Sequence, residues 1–254
     1  MLLEAKGISK RFGPVAVLHQ VDFEAPEAHV TALLGDNGAG KSTLIKCIAG
    51  VLIPDDGEIY LDTERCHFRT PHDATQAGIA TVYQDLALCD NLDVAANLFL
   101  GRESVIRNPA AGAFGTLDDK TMEVAARGAL SELRVEMPSV RVPVEFLSGG
   151  QRQAVAIAKT LVGSPRVVIL DEPTAALGVA QTRQVLDLIR HLRARGHAVV
   201  LITHNLADVF DVADTAIVLR LGRRVATFNI ADVTPNDIVA AITGARGSSE
   251  VSQR

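Results

Sequence analysis

Two short stretches carry side chains whose types and spacing could do chemistry. The first is "GDNGAGKST", Gly35 to Thr43, a glycine-rich turn of the form G-x-x-x-x-G-K-[ST]. The apolar run "VTALL" precedes it and the helical pattern "TLIKCIAGVL" follows, the context in which such a turn holds phosphate. With no side chains at Gly35, Gly38 and Gly40, the backbone can close around an anion with its N–H groups directed inward. The helix start then adds a favourable dipole. Lys41 is placed for the β- and γ-phosphates and the Ser42 hydroxyl for Mg²⁺, while Asp36, Asn37, Ala39 and Thr43 complete the loop. A chance turn of this form is expected in roughly one chain in a hundred of this length. The reading is therefore nucleoside triphosphate binding.

The second stretch, "VVILDEPT", ends four apolar residues in Asp171 and Glu172. Downstream of a phosphate-binding loop, an Asp at a strand end holds Mg²⁺ directly or through water. Along an ideal strand, neighbouring side chains point to opposite faces. Pro173 has no N–H to give the ladder and is expected to let the chain turn, so that both carboxylates approach the phosphates. Glu172 then becomes a general base for an attacking water. In isolation the stretch would read as an acidic turn capping a strand; the upstream loop favours the chemical reading.

A third stretch, "FLSGGQRQAVAIAKTL" at 146–161, is polar at its head yet holds no acid, base or strong nucleophile. Ser148, Gly149, Gly150 and Gln151 make a glycine turn, and a helical pattern follows with Ala154, Ile157, Ala158 and Leu161 on one face.

Elements that could position these stretches are legible around them. Short β-branched runs (30–35, 167–170 and 198–203) each adjoin a helix-like segment, which predicts an α/β core with a parallel-rich central sheet. Val185, Leu188, Ile189 and Leu192 share one face of a helix over 182–195, with Gly196 as its stop. From about 86 to 162 strand signals fade. Asp118 reads as the N-cap of a helix whose stripe is Met122, Ala125, Ala126, Ala129, Leu130 and Leu133, and 108–115 reads as a loop of small residues. The expected organisation is one domain over 1–244: a core of about 1–85 and 163–230, a helical subdomain inserted at about 86–162, and a helix at about 234–243. That last helix is capped by Thr234, has Pro235 at its first position and ends at Gly244, with 245–254 as a disordered tail.

Bulk properties exclude several classes. The chain has 254 residues, is 48 % hydrophobic and has a mean hydropathy of +0.20, values of a globular protein. A net charge of −5 gives no general electrostatic reason to bind nucleic acid. Three cysteines (Cys47, Cys66, Cys89) lack metal-ligand spacing and fit a reducing compartment. The first residues have no apolar core of a signal peptide, and the strongest apolar runs are too short to span a bilayer.

With "LSGGQ" at 147–151 following the phosphate loop and preceding the acidic pair, the sequence resembles the ATP-binding cassette (ABC) family along nearly its whole length. The resemblance implies a P-loop NTPase core with an inserted helical subdomain, and hydrolysis of ATP to ADP and phosphate. It also implies cassettes packed head to tail, so that Ser148, Gly149, Gly150 and Gln151 bind the γ-phosphate of ATP held by the partner's loop. Phe12 in "KRFG" stands where the family's adenine-stacking aromatic stands; a core phenylalanine is the alternative. Gln84 in "VYQD" resembles the Q-loop glutamine, which touches Mg²⁺ or water and links to the membrane partner, and His204 resembles the switch histidine. The other six histidines read as surface or structural.

Gly178, in "TAALGVAQ", departs from the family's usual Asp and leaves the route of cross-talk between cassettes open. This variant, with "NLFLGRE" at 97–103, is similar to ATPases of ribose-, xylose- and fructose-type sugar importers. The implied partners are a second identical cassette, integral membrane permease subunits and, indirectly, an extracytoplasmic solute-binding protein, with no nucleic acid. The implied place is the cytoplasmic face of a bacterial inner membrane, peripherally bound. Amino-acid, nucleoside or polyol import stay open, as does a soluble cassette acting on nucleic acid or ribosomes. Against the latter stand the absent heptad coiled coils and basic linkers, and the absence of N-K-x-D argues against a GTPase.

Overall fold

The computed structural model describes residues 1–103, 105–106, 116–135, 137 and 139–245. The small-residue loop expected at 108–115 and the tail from 246 lie outside them. In chain order the strands and helices are β1 (Leu3–Phe12), β2 (Val15–Ala25), β3 (His29–Leu34), α1 (Lys41–Ile48), β4 (Asp56–Leu61), β5 (Glu64–Cys66), α2 (Pro71–Ala77) and β6 (Ile79–Val82). Then come α3 (Val94–Phe99), β7 (Val105–Ile106), β8 (Thr116–Leu117), α4 (Asp119–Glu132), α5 (Gly149–Leu161) and β9 (Val167–Asp171). The last are α6 (Val179–Ala194), β10 (Ala198–Ile202), α7 (Leu206–Val212), β11 (Thr215–Arg220), β12 (Arg223–Asn229) and α8 (Pro235–Thr243).

The chain divides into two compact units. One comprises Met1–Gln84, Pro165–Pro173 and the residues from Ile189 onward; the other comprises Asp85–Ser164 with Thr174–Leu188. The second unit thus takes in residues 174–188, beyond the 86–162 expected of the inserted subdomain.

In the first unit a six-stranded sheet runs β12-β11-β3-β10-β9-β6, parallel except for the antiparallel edge strand β12. Its central strand β10, Ala198–Ile202, is apolar throughout and at most 2 % exposed. Both faces of the sheet are covered, so alternation is lost. One face packs with α1 against β1, β2 and β4; the other packs on α7 and α8. Each buried Val, Leu or Ile contributes roughly 1.5–3 kcal/mol relative to exposure, an upper estimate because the unfolded chain is already partly compact. A second, antiparallel sheet runs β2-β1-β4-β5. The sequence pattern did not reveal it, because the β1–β2 pairing is broken by three register shifts that scramble a two-residue alternation.

The helix ends follow local chemistry. Asp118 caps α4 by accepting from Thr121 N at 3.0 Å. Thr234 and Asp237 form a capping box on α8, which ends at Gly244, and Gly196 stands at φ +94° after α6. The α4 stripe is narrower than expected: Met122, Ala126, Leu130 and Leu133 are buried, whereas Ala129 is half-buried and Ala125 exposed.

Candidate nucleotide site

Parallel pairing brings the candidate residues of the first unit to one edge. Ile202 is in register with Leu33 on β3 and with Asp171 on β9, and Val82 of β6 is in register with Leu170. The segments leaving the carboxyl ends of these four strands are therefore Gly35–Thr43, His204, Asp171–Glu172 and Gln84. Carboxyl strand ends are where ligands bind in open α/β sheets.

The glycine loop is shaped by its neighbours. Gly40 precedes α1 at φ +103°, and a Cβ there would lie 2.7 Å from Leu18 Cδ2 on β2. Gly35 stands at φ +146° with the Leu219 carbonyl 2.2 Å from the position of a Cβ. Only glycine fits a backbone so turned and so closely approached. Lys41 Nζ donates to the carbonyls of Gly35 at 2.6 Å and Asp36 at 3.0 Å. Burial pushes the pKa of Lys41 down, and the charges of Glu172, Asp36 and Asp171 oppose that shift. Asp171 is pushed up, first by burial and then by the Glu172 charge, against the pull of Lys41 and Lys46. Ser42 is exposed in the first turn of α1.

The acidic pair turns differently from expectation. Glu172 itself adopts φ +50°, and its N–H still donates to Ile202 O at 2.8 Å. The ladder therefore continues through Glu172, and the left-handed residue, not Pro173 alone, redirects the carboxylate. A non-glycine residue held there, directly before a proline that disfavours helical angles, stores of order 1–3 kcal/mol. The result is a direct contact that sequence reasoning missed: His204 Nδ1 lies 2.9 Å from Glu172 Oε1. His204 is 79 % exposed and Glu172 17 %, so the pair joins a solvent-facing ring to a largely buried carboxylate.

Phe12 ends β1 in the hairpin to β2 and is 48 % exposed, so it is not a core residue. The Lys10 ammonium lies 6.0 Å from its ring centroid. Gln84 is exposed just beyond β6. Gly222 also escaped sequence reasoning. At the tip of the β11–β12 hairpin, its N–H donates to Ala39 O at 3.0 Å and its carbonyl accepts His19 N at 2.8 Å, tying the phosphate loop to β2. The signal was present: two residues, Leu221 and Gly222, separate the strand-like runs "TAIVLR" and "RRVATF".

In the second unit, Ser148 is the N-cap of α5, and the two glycines form its first turn. Ser148 Oγ accepts from Gln151 N at 3.3 Å, and Gln151 Oε1 accepts from Ser148 N at 3.0 Å, a complete capping box. The helix thus begins at the glycines, earlier than the apolar pattern suggested. It buries Gln153 through Ala158 without a break, while Leu161 is only half-buried. Asn97 on α3 is also new. Its buried amide binds the carbonyls of Cys89, Leu92 and Asp93 and the N–H of Cys89, at 2.7–3.2 Å, and so fixes the loop that follows Gln84.

A parallel sheet that presents a glycine phosphate loop and an acidic strand end at one edge defines a P-loop nucleotide-binding protein. A family model described as "ABC transporter" matches residues 18–175, and the chain belongs to that family. It is 49 % identical over 248 residues to the fructose import ATP-binding protein FrcA of Rhizobium meliloti, covering 96 % of this chain and 95 % of that one. The xylose/arabinose import ATP-binding protein XylG of Sulfolobus acidocaldarius is 44 % identical over 222 residues, covering 87 % and 86 %. Among solved structures, the ADP conformation of MJ1267, an ATP-binding cassette of an ABC transporter, superposes with a TM-score of 0.82 at 26 % identity, over 96 % of this chain and 98 % of that one.

Proposed function

We propose that this chain is the ATP-hydrolysing subunit of an importer for a monosaccharide or related small polar solute, working as a homodimer on the cytoplasmic face of a bacterial inner membrane. The observation that carries the ATPase reading is the convergence of Lys41, Asp171, the Glu172–His204 pair and Gln84 at one sheet edge. The sugar and the direction rest on the names of the fructose and xylose/arabinose relatives. No helix among the described residues is long and apolar enough to cross a membrane; separate permease subunits, fed by an extracytoplasmic solute-binding protein, supply the pore.

In this reading adenine stacks on Phe12 and the phosphates lie in Gly35–Thr43. Lys41 exchanges the carbonyls of Gly35 and Asp36 for phosphate oxygens. Ser42, Asp171 and Gln84 would hold Mg²⁺, which when bound offsets phosphate charge; so small a donor set suits an ion that keeps most of its waters. From a second copy, Ser148–Gln151 close over the γ-phosphate. Ser148 Oγ already accepts an N–H, which leaves its own O–H to donate. Glu172 takes a proton from the attacking water. With Glu172 ionised, His204 Nδ1 carries the proton of their bond, so Nε2 can donate to phosphate only when the ring is cationic. Moving the dimer from 1 % to 99 % closed requires about 5.5 kcal/mol of differential ATP binding.

Glu172→Gln tests the core of this. It is expected to bind ATP, lose turnover and run as a dimer with ATP in gel filtration; a variant that stays monomeric with ATP defeats the base-and-dimer assignment. Transport is tested by recovering the tagged chain from native membranes in mild detergent. A polytopic permease among the co-purifying proteins is the expected result, and recovery of ribosomal or DNA-bound partners alone would overturn it.

A further inference from the structure

Gly178 leaves the helix α6 with an N-cap that has no side chain. Its N–H donates instead to Gln181 Oε1 at 3.0 Å, the half of a capping box in which the third helical residue reaches back. A cap would need only that oxygen. The stem of the same side chain, however, lies against the signature turn: a Cβ on Gly150 would stand 3.2 Å from Gln181 Cβ and 3.3 Å from its Cγ. Gly150 is buried, so this is close packing with no solvent between. Within the loop, Leu177 N donates to Thr174 O at 3.3 Å, and Leu177 Cδ2 would meet a Cβ on Gly149 at 2.9 Å. Gln184 Oε1 would also meet a Cβ on Gly150, at 3.1 Å, but of the two glutamines only Gln181 also bonds Gly178; with Leu177 it binds the loop 174–178 to the first turn of α5. Pro173 alone separates this loop from Glu172.

We propose that Gln181 is a positioning residue that clasps the loop 174–178 to the signature turn at Gly150. It thereby joins what the turn senses on the partner's γ-phosphate to the setting of Glu172 in the same chain. The inference rests on the trans-acting reading of Ser148–Gln151 given above. It supplies a route for cross-talk where Gly178 has no side chain to carry it: each chain's turn reads the other copy's nucleotide, and the clasp relays that reading to its own base. The route runs inside one chain.

The test is steady-state ATP hydrolysis by the full chain carrying Gln181→Ala, Gln181→Glu and Ser148→Ala, singly and as Ser148→Ala/Gln181→Ala, together with ADP binding by calorimetry. Gln181→Ala is expected to lower kcat about tenfold, the scale of a sub-ångström misplacement of a catalytic group. ADP affinity is expected to stay unchanged, because ADP carries no γ-phosphate for the turn to read. Gln181→Glu keeps both the stem and an acceptor oxygen and restores turnover to within about twofold. The double variant is no slower than Ser148→Ala alone, since the two residues act in series. Wild-type kcat in Gln181→Ala overturns the proposal. So do a parallel loss of ADP affinity, which would mark general misfolding, and additive losses in the double variant. If Glu172→Gln fails to dimerise with ATP, the trans reading itself falls; if it dimerises while Gln181→Ala is silent, only the clasp is wrong.

Discussion

In the loop Gly35–Thr43 the glycines answer to backbone angle and, at Gly35 and Gly40, to close approach as well, whereas in the turn Ser148–Gln151 they answer to space alone. Gly40 stands at φ +103° and Gly38 at +81°. Gly149 and Gly150, by contrast, are ordinary first-turn residues of α5, and what a side chain would meet there is Leu177, Gln181 and Gln184. The first loop takes a backbone shape that no other residue can hold. The second turn is helical by its own capping box and needs glycine only so that a neighbouring segment can lie against it. Two glycine turns that look alike in sequence therefore fail in different ways when altered.

The largest expected effect separates chemistry from both. Lys41→Ala removes the cation of the phosphate loop, and turnover, followed by phosphate release, is expected to fall at least a hundredfold, by roughly the 10²–10³ lost with one preorganised charge-stabilising donor. Wild-type-like turnover would refute the cradle assignment. Next comes the glycine contrast itself. Gly40→Ala forces a left-handed residue against Leu18 and is expected to cost about 1–3 kcal/mol. That corresponds to a fall in Tm of roughly 2–4 °C per kcal/mol for a chain of this size, with loss of ADP binding. Gly149→Ala meets only the tip of a leucine side chain and gains helix propensity. Its Tm is expected to hold or rise and its ADP affinity to stay, while ATP turnover falls. Equal Tm losses in the two variants would erase the contrast.

The smallest effect concerns the cost of the site. The pKa of Asp171 is raised above its ordinary 3.8 by burial and by Glu172, so the folded state holds its proton more tightly than the unfolded one. Its ionisation therefore opposes folding: the stability conferred by the protonated carboxyl is fully present below 3.8 and is lost as pH rises through the raised folded-state value. Asp171→Asn removes that penalty, and calorimetry at pH 7 is expected to show a Tm a few degrees higher, with the gain shrinking as pH falls toward 4. The variant's ATPase is expected to be abolished. A Tm gain independent of pH would mean that desolvation of the carboxylate is not the cause.

Legibility followed the range of the interactions. Asp118, Thr234, Pro235, Gly196 and Gly244 were readable because caps and stops involve partners within about four residues. The glycine loop ahead of α1 and the acidic end of β9 were readable as elements because their spacing and flanks are local. Ala125 was misplaced because an apolar stripe gives a direction and not a width: a residue at the edge of the stripe is buried only if a neighbour reaches it. Glu172 was expected to turn through Pro173. Its left-handed backbone is a strained state that no propensity favours, and the Ile202 carbonyl across the ladder holds it.

The sequence by itself determined which residues carry charge and hydroxyls, where the turns and caps fall, and that a glycine-rich loop precedes a helix. These depend on chemistry within one turn of chain. Tertiary structure alone decided that β3, β10, β9 and β6 lie side by side, so that Lys41, His204, Asp171 and Gln84 leave one edge. It likewise decided that His204 closes on Glu172 and that Gln181 reaches from Gly178 to Gly150. Apart from the local Gly178–Gln181 bond, those contacts join residues about thirty positions apart. The contacts at the sheet edge depend on long-range pairing of buried strands, which no local stretch of sequence specifies.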